Sequence, residues 1–398
     1  MSASPRPTGV HRFDRLELAG SFGDLGTFLP IVVAMILING LSPSAVLLSF
    51  GFFYVFTGLF YRLPVPVQPL KAVGAIAIAS PAVVTAPVIG AAGILFGAVM
   101  LALWAFRLVD LAARLFTAPV VRGIQFSLGV IFLKKGIELI ASRALFIDGR
   151  PGPLAGWHVN LWLGLVVFVL VLALLDNRRF PAALVALAVG LTVGILAGGI
   201  GDVPLAIGPT ALRVSIPDAA AFRTAAILLV LPQIPLTIGN ACVGTAATAA
   251  SLFPGDPRLD RAQAGGFAFT MGLANIPAGL LAAVPMCHGT GGLVAHHRFG
   301  ARSGGAPVII GLLLIAMALG FGHLGFALLA SIPNSVLGVL LVFAGLELCP
   351  LIRSLKTNEE YFVALLITGI ALAVPNMAWA FGTGIIVDLV IRHLKVKI

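Results

Sequence analysis

Polar residues are scarce in this chain, and those able to bind a ligand gather in four short stretches. PVPVQPLKA (Pro64–Ala72) carries Gln68 and Lys71, and GDLGTFLP (Gly23–Pro30) carries Asp24 and Thr27. LPQIPLTIGNA (Leu231–Ala241) carries Gln233, Thr237 and Asn240, while PMCHGTGGL (Pro285–Leu293) carries His288, Gly289, Thr290 and Gly291. Ammonium, amide, hydroxyl and backbone donors outnumber the one carboxylate, so the set suits an anion. Pro64, Pro66 and Pro69 favour an extended backbone. Behind them the apolar run Lys71–Ser80 is too short to cross a bilayer core of roughly 30 Å. A helix that starts at mid-membrane presents unpaired N–H groups and a partial charge of about +0.5. If the short run Gly289–His296 starts opposite it, two such ends supply about +1 and Lys71 adds another. That approaches the charge of a tetrahedral dianion, which does not leave water without compensation.

Each of these residues has a second reading. Lys71 fits a ligand contact, a snorkelling position or a structural pair with Asp24. Gln68 can donate to a ligand or cap the half-helix. Gln233 and Thr237 share one helix face, with Asn240 a turn further on, and such a polar stripe also binds neighbouring helices. Gly289 and Gly291 permit close backbone approach, and Thr290 adds a hydroxyl. His288 suits a ligand, a proton-coupling group or a structural pin; Asp24 suits coupling or pairing. Arg122 and Gln125 are expected in interhelical contacts, Asn334 in packing and Glu347 at the interface. No metal site is expected, since His296 and His297 lack partners, and no cofactor is implied.

These residues need a membrane scaffold to position them. Hydrophobic residues make up 59% of the chain and charged ones 10%, with mean hydropathy +1.08; soluble domains carry about 25% charged residues. The composition predicts a polytopic all-α membrane protein of about fourteen segments. The first seven are Leu16–Ile38, Ser44–Tyr61, Lys71–Ser80, Pro87–Phe106, Thr117–Ile140, Leu161–Leu175 and Pro181–Ile200. The second seven are Thr224–Ala247, Ala262–Val284, Gly289–His296, Pro307–Phe321, Gly325–Glu347, Tyr361–Val374 and Met377–Ile391. A polar tail (1–15), a first repeat (16–200), a connecting segment (201–223), a second repeat (224–391) and a tail (392–398) follow from that division. Most of the 25 basic residues, including Arg62, Arg107, Arg258 and Arg353, fall on one set of loops. Lys134, Arg143 and Arg213 fall on the other. The positive-inside rule then puts both termini in the cytoplasm. A net charge of +10 spread over such loops reports orientation, not nucleic-acid binding, and the cysteines have no paired spacing.

An odd number of segments per half requires the second half to be inverted, and motif order supports it. The first segment breaks at Gly20–Pro30 and the eighth at Leu231–Ala241; the third and tenth each follow an extended, proline-bearing stretch. Together GDLGTFLP, PVPVQPLKA, LPQIPLTIGNA and PMCHGTGGL resemble the molybdate-transporter family of the sulfate permease superfamily. That resemblance implies a seven-plus-seven inverted repeat of the uracil-permease-like type, with a core domain moving against a gate domain. It also implies an integral protein of the cell (inner) membrane that takes molybdate or sulfate and suits a homodimer. No soluble STAS domain is expected. The function expected is secondary active transport of a tetrahedral oxyanion, molybdate before sulfate. Rival readings are an aromatic carboxylate or nucleobase permease, an anion channel, and a membrane enzyme. The enzyme lacks a paired-carboxylate or metal motif, and no phosphate-binding loop for ATP is present.

Overall fold

The computed structural model describes residues 11–150, 158–175, 177, 181–200, 207–374, 376–394 and 396–398. The first ten residues of the expected tail and residues 201–206 of the connecting segment lie outside the described residues. The first apolar segment is two helices, α1 (Arg15–Ser21) and α2 (Leu25–Asn39), bent by 44° at the glycine-containing turn between them. Asp14 caps α1 by accepting the N–H groups of Leu16 and Glu17. Helix α3 (Pro43–Tyr61) starts on a Ser42 cap with proline in its first turn. The chain then runs extended through strand β1 (Gln68–Pro69) into the nine-residue α4 (Lys71–Ala79). Helices α5 (Ala86–Ala105), α6 (Val109–Leu115), α7 (Ala118–Ile140), α8 (Val159–Leu174) and α9 (Ala182–Leu196) complete the first half.

The second half opens with α10, a continuous 34-residue helix from Ala219 to Leu252. A break at Leu231–Ala241 was the expectation, and it does not occur. Pro232 and Pro235 lack the N–H that closes an α-helical turn. The helix absorbs them by widening into π-helical stretches at Ala226–Val230 and Thr237–Gly244, the usual device for relieving such a register. Helix α11 (Ala264–Leu280), strand β2 (Met286–Cys287) and the short α12 (Thr290–Arg298) follow. Helix α13 (Gly305–Ala330) is kinked at Phe321 and takes in Gly325–Ala330, which the sequence reading gave to the next segment. That next segment, α14, therefore begins only at Asn334 and ends at Leu348; α15 (Asn358–Ala373) and α16 (Met377–Leu394) close the chain.

Six of these helices are long and apolar enough to cross a membrane, and the bent pair α1–α2 makes a seventh. With α4 and α12 as the truncated third and tenth segments, the fold is the inverted seven-plus-seven repeat. Its packing shows the same exchange. The most extensive helix contacts are α3 with α13, α5 with α11, and α7 with α14. Swapping the halves converts the first pair into the second and leaves the third unchanged. Reciprocal glycines make these approaches possible. A Cβ on Gly136 (α7) would lie 2.5 Å from the Gly338 carbonyl oxygen (α14), and one on Gly338 would lie 2.5 Å from that of Gly136. The helices thus form a core group, α1–α5 with α10–α13, and a gate group, α7–α9 with α14–α16.

Gly338→Val should force α7 and α14 apart, costing about 1–3 kcal/mol through overpacking. Gly369→Ala, where a Cβ meets nothing within 4 Å, should cost nothing. Thermal unfolding of the detergent-purified variants checks this: a clear fall in midpoint for the first and none for the second.

Candidate functional site

Strands β1 and β2 cross in the interior as an antiparallel pair, Gln68 opposite Cys287 and Pro69 opposite Met286. The Leu70 N–H donates to the Pro285 carbonyl at 2.9 Å. Asn275 of α11 closes the other side of β2: its Oδ1 accepts from Met286 N, and its Nδ2 donates to Met286 O, both at 2.7 Å. Extended backbone at membrane depth is thereby satisfied within the protein. Because α4 and α12 each start directly after a paired strand, their first turns are held side by side. At 1.5 Å per residue each helix is about 13 Å long, half a bilayer core. Neither has a side-chain cap from its own N-cap residue, Leu70 or Gly289.

The polar residues sort into fasteners and cavity-facing groups. Gln68 is buried and its Nε2 donates to both Asp24 carboxylate oxygens, at 2.8 and 2.7 Å. This pair packs against the start of α12. A Cβ on Gly289 would come within 2.1 Å of Gln68 Oε1, and one on Gly292 within 2.5 Å of Asp24 Oδ2. Packing against Gln68 thus requires a glycine at 289. Asp24 is engaged by Gln68, and no ion pair joins it to Lys71 among the described residues, contrary to the pairing expected. Gln233 caps α4: its Oε1 accepts from the Ala72 N–H at 2.9 Å, while its Nε2 donates to Thr237 Oγ1 at 3.1 Å. Thr290 Oγ1 donates to the main-chain and side-chain oxygens of Asn240, each at 3.2 Å.

His288 is a pin. Its Nδ1 lies 2.8 Å from the Pro66 carbonyl, which only accepts, so Nδ1 carries a proton. Its Nε2 lies 2.9 Å from Thr270 Oγ1, which in turn contacts the Tyr61 hydroxyl at 2.7 Å. Rings of Phe53, Tyr61 and Phe267 surround it. Both ring nitrogens are thus bonded within the protein, and His288 is not among the residues lining the cavity between α4, α7 and α12. His296 is likewise buried, with Nδ1 bonded to the Pro64 carbonyl at 3.1 Å.

Between the core and gate groups lies a cavity of about 640 Å³. The core side contributes Thr27, Gln68, Lys71, Asn240, Thr290 and Gly291, so the first turns of α4 and α12 face the same space. A Cβ on Gly291 would meet nothing within 4 Å. The gate side contributes Arg122 and Gln125 from α7 and Glu347 from α14. Arg122 is held by Ser354 Oγ and Gln125 Oε1, both at 2.8 Å. Glu347 accepts from Thr27 Oγ1 at 3.3 Å, a bond from gate to core. Inward, the gap narrows to a recess of about 20 Å³ walled by Leu128, Leu236 and Leu348, with Gln233 and Thr237 beside them. Beyond it a separate recess of about 240 Å³ is lined by Ile76, Ile131, Lys135 and Glu138. Arg122, Gln125, Leu128, Ile131 and Lys135 recur at helical spacing, so one face of α7 lines the whole route.

Arg122, Gln125 and Glu347 were expected in contacts or at the interface, and the structure brings them to the cavity. The i, i+3 spacing of Arg122, Gln125 and Leu128 was the available signal. Nothing in the sequence marked Glu347, because its position depends on which helix faces α2.

The chain matches the family model described as "Molybdate transporter of MFS superfamily" over residues 16–132 and 225–348. It is 30% identical to molybdate transporter 2 of Arabidopsis thaliana, over 94% of this chain and 87% of that one. It is 29% identical to molybdate transporter 1 of Chlamydomonas reinhardtii, over 94% and 90% respectively. Among solved structures, SLC26A9 aligns with a TM-score of 0.71 at 13% identity, covering 96% of this chain, which spans 65% of that one. The transmembrane domain of the cyanobacterial bicarbonate transporter BicA aligns with a TM-score of 0.63 at 17% identity, over 94% and 97%. At such identities these two likenesses speak for the fold, which is that of the SLC26 and sulfate permease proteins.

His288→Ala would remove the partner of the Pro66 carbonyl in the interior, where an unmade hydrogen bond costs about 1–3 kcal/mol beyond the lost packing, while Thr270 Oγ1 would keep Tyr61 and Phe267. A marked fall in thermal stability is expected. Unchanged stability would put His288 on the cavity wall instead.

Proposed function

The chain belongs to the molybdate transporter family, and from that premise we propose that it is a secondary active transporter of a tetrahedral oxyanion, molybdate before sulfate. One observation carries the reading: the first turns of two half-helices and the side chains of Lys71 and Arg122 border one cavity whose single carboxylate among the described residues is Glu347. Helix N-termini and basic side chains both favour a dianion. The polar wall also supplies the amide of Gln68, the hydroxyls of Thr27 and Thr290, and the side chain of Asn240. Lys71 and Gly291 are the core-side ligands, and Arg122 with Gln125 faces them from the gate. Gln68 and Gln233 act by position, one fixing Asp24 and the other capping α4. The space far exceeds one oxyanion, so the ion arrives with part of its hydration shell.

The two repeats occupy 16–200 and 224–391, the second entered through the start of α10 at Ala219. The cavity wall lies near the start of α7 and the ends of α10 and α14, the side bearing Arg114 and Arg353. On the positive-inside rule this side is cytoplasmic, so the protein sits in the cell membrane with both termini inside and the cavity open inward. Movement of the core group against the gate group would open the recess at Lys135 and Glu138 in turn. A leucine-walled constriction between the two spaces favours a carrier over a channel, which needs a continuous path.

Uptake of radiolabelled molybdate into proteoliposomes tests the proposal, with excess sulfate as competitor. Saturable uptake that a tenfold excess of sulfate leaves largely intact is expected. No uptake, or equal competition by sulfate, would overturn the molybdate assignment. Lys71→Gln removes one of the positive charges and should weaken molybdate binding about 10- to 100-fold, or roughly 1.4–2.7 kcal/mol, with thermal stability retained. Unchanged affinity would take Lys71 out of the site.

A further inference from the structure

We propose that Glu347 is the proton-binding group of this carrier, so that one proton enters the cavity with each dianion. The inference rests on the oxyanion reading above and adds a co-substrate to the same site.

Charge bookkeeping in the cavity motivates it. Among the described residues, Lys71 and Arg122 are its two basic residues and Glu347 its one acidic residue. An empty cavity with ionised Glu347 has a side-chain charge of +1; adding a dianion leaves −1, with the carboxylate sharing a confined space with an ion of like sign. A protonated Glu347 makes the loaded cavity neutral. The proton goes onto a Glu347 carboxylate oxygen from the open side, and it leaves with the dianion on the other side. Each turnover moves one proton and one dianion, a net charge of −1.

Geometry singles out this carboxylate. The groups facing it are Thr27 on α2 and, behind it, Asp24 just before α2, with Lys71 on α4 and Arg122 on α7. Helices α8 and α9, which also pack on α14, carry no titratable residue. Asp24 has both oxygens committed to Gln68 and does not line the cavity. His288 has both ring nitrogens committed. His296 is sealed against Tyr54. Glu138, paired with Lys135 at 3.6 Å, lies in the opposite recess. Glu347 alone among these acids and histidines has access to the anion's space. Its partner Thr27 also suits a titrating site, because a hydroxyl donates to a carboxylate and accepts from a carboxylic acid. That bond spans core and gate, so proton binding acts where the two groups must part.

The sign follows from linkage. If the dianion binds more tightly to the protonated site, bound dianion raises the affinity for the proton and the reverse. Affinity is then full at acid pH and lost as pH rises through the carboxyl's range, at most tenfold per pH unit for one proton. The test is molybdate binding to purified full-length protein by calorimetry from about pH 5.5 to 8.5, with uptake into proteoliposomes with and without an acid-outside gradient. Wild type should bind more weakly as pH rises, and the gradient should speed uptake at least fivefold. Glu347→Gln should bind with less than twofold variation across the range and lose the acceleration, while Glu347→Asp should keep both pH effects. Gradient-driven uptake or the wild-type pH profile surviving in Glu347→Gln would overturn the assignment. So would a flat wild-type profile with binding intact. Absence of wild-type binding at every pH would instead remove the oxyanion reading itself.

Discussion

A backbone that changes from strand to helix halfway through a bilayer must find partners for its own N–H and C=O groups, because lipid supplies none. This chain meets that demand by pairing its two interruptions with each other. Gln68 and Pro69 lie against Cys287 and Met286, the Leu70 N–H reaches Pro285, and Asn275 completes the second strand. Once the strands are paired, the positions of α4 and α12 follow. Both helices begin directly after their paired strands and leave their first turns beside one space. The side chains that lock this arrangement (Asp24 with Gln68, Gln233 on Ala72, His288 between Pro66 and Thr270) are polar and buried, and each has a specific partner. Their polarity serves the scaffold, while Lys71 and Gly291 border the cavity.

Inversion of the two halves gives the molecule its division of labour. Contacts of α3 with α13 and of α5 with α11 tie the core group together from both repeats, and α7 with α14 ties the gate group. Glycine-lined approaches make each group dense. The cavity, the leucine constriction and the opposite recess all lie on the boundary between the two groups, and α7 lines the three in succession. The Thr27–Glu347 bond crosses it too.

Much of this was legible in the sequence for physical reasons that act locally. Three prolines before Lys71 specify extended backbone, and a nine-residue apolar run is too short to span, so half-helices could be read directly. Motif order revealed the inversion. What failed depended on tertiary context. Pro232 and Pro235 ordinarily break a helix, yet α10 takes them into π-helical turns. Asp24 and Lys71 have opposite charges, but Gln68 reaches Asp24 first. The contact of His288 with Thr270 comes from another helix, which the sequence does not place beside the glycine-rich loop. Arg122 and Glu347 lie on gate helices whose inward face is fixed only once α7 and α14 pack together.

The central claim is that an oxyanion rests between the first turns of α4 and α12. Anomalous scattering at the molybdenum edge, from crystals of the protein grown with molybdate, locates the ion without reference to any side chain. A single strong peak beside Lys71, Thr290 and Gly291 is the result expected. A peak outside the space between core and gate, with those first turns unoccupied, would contradict it.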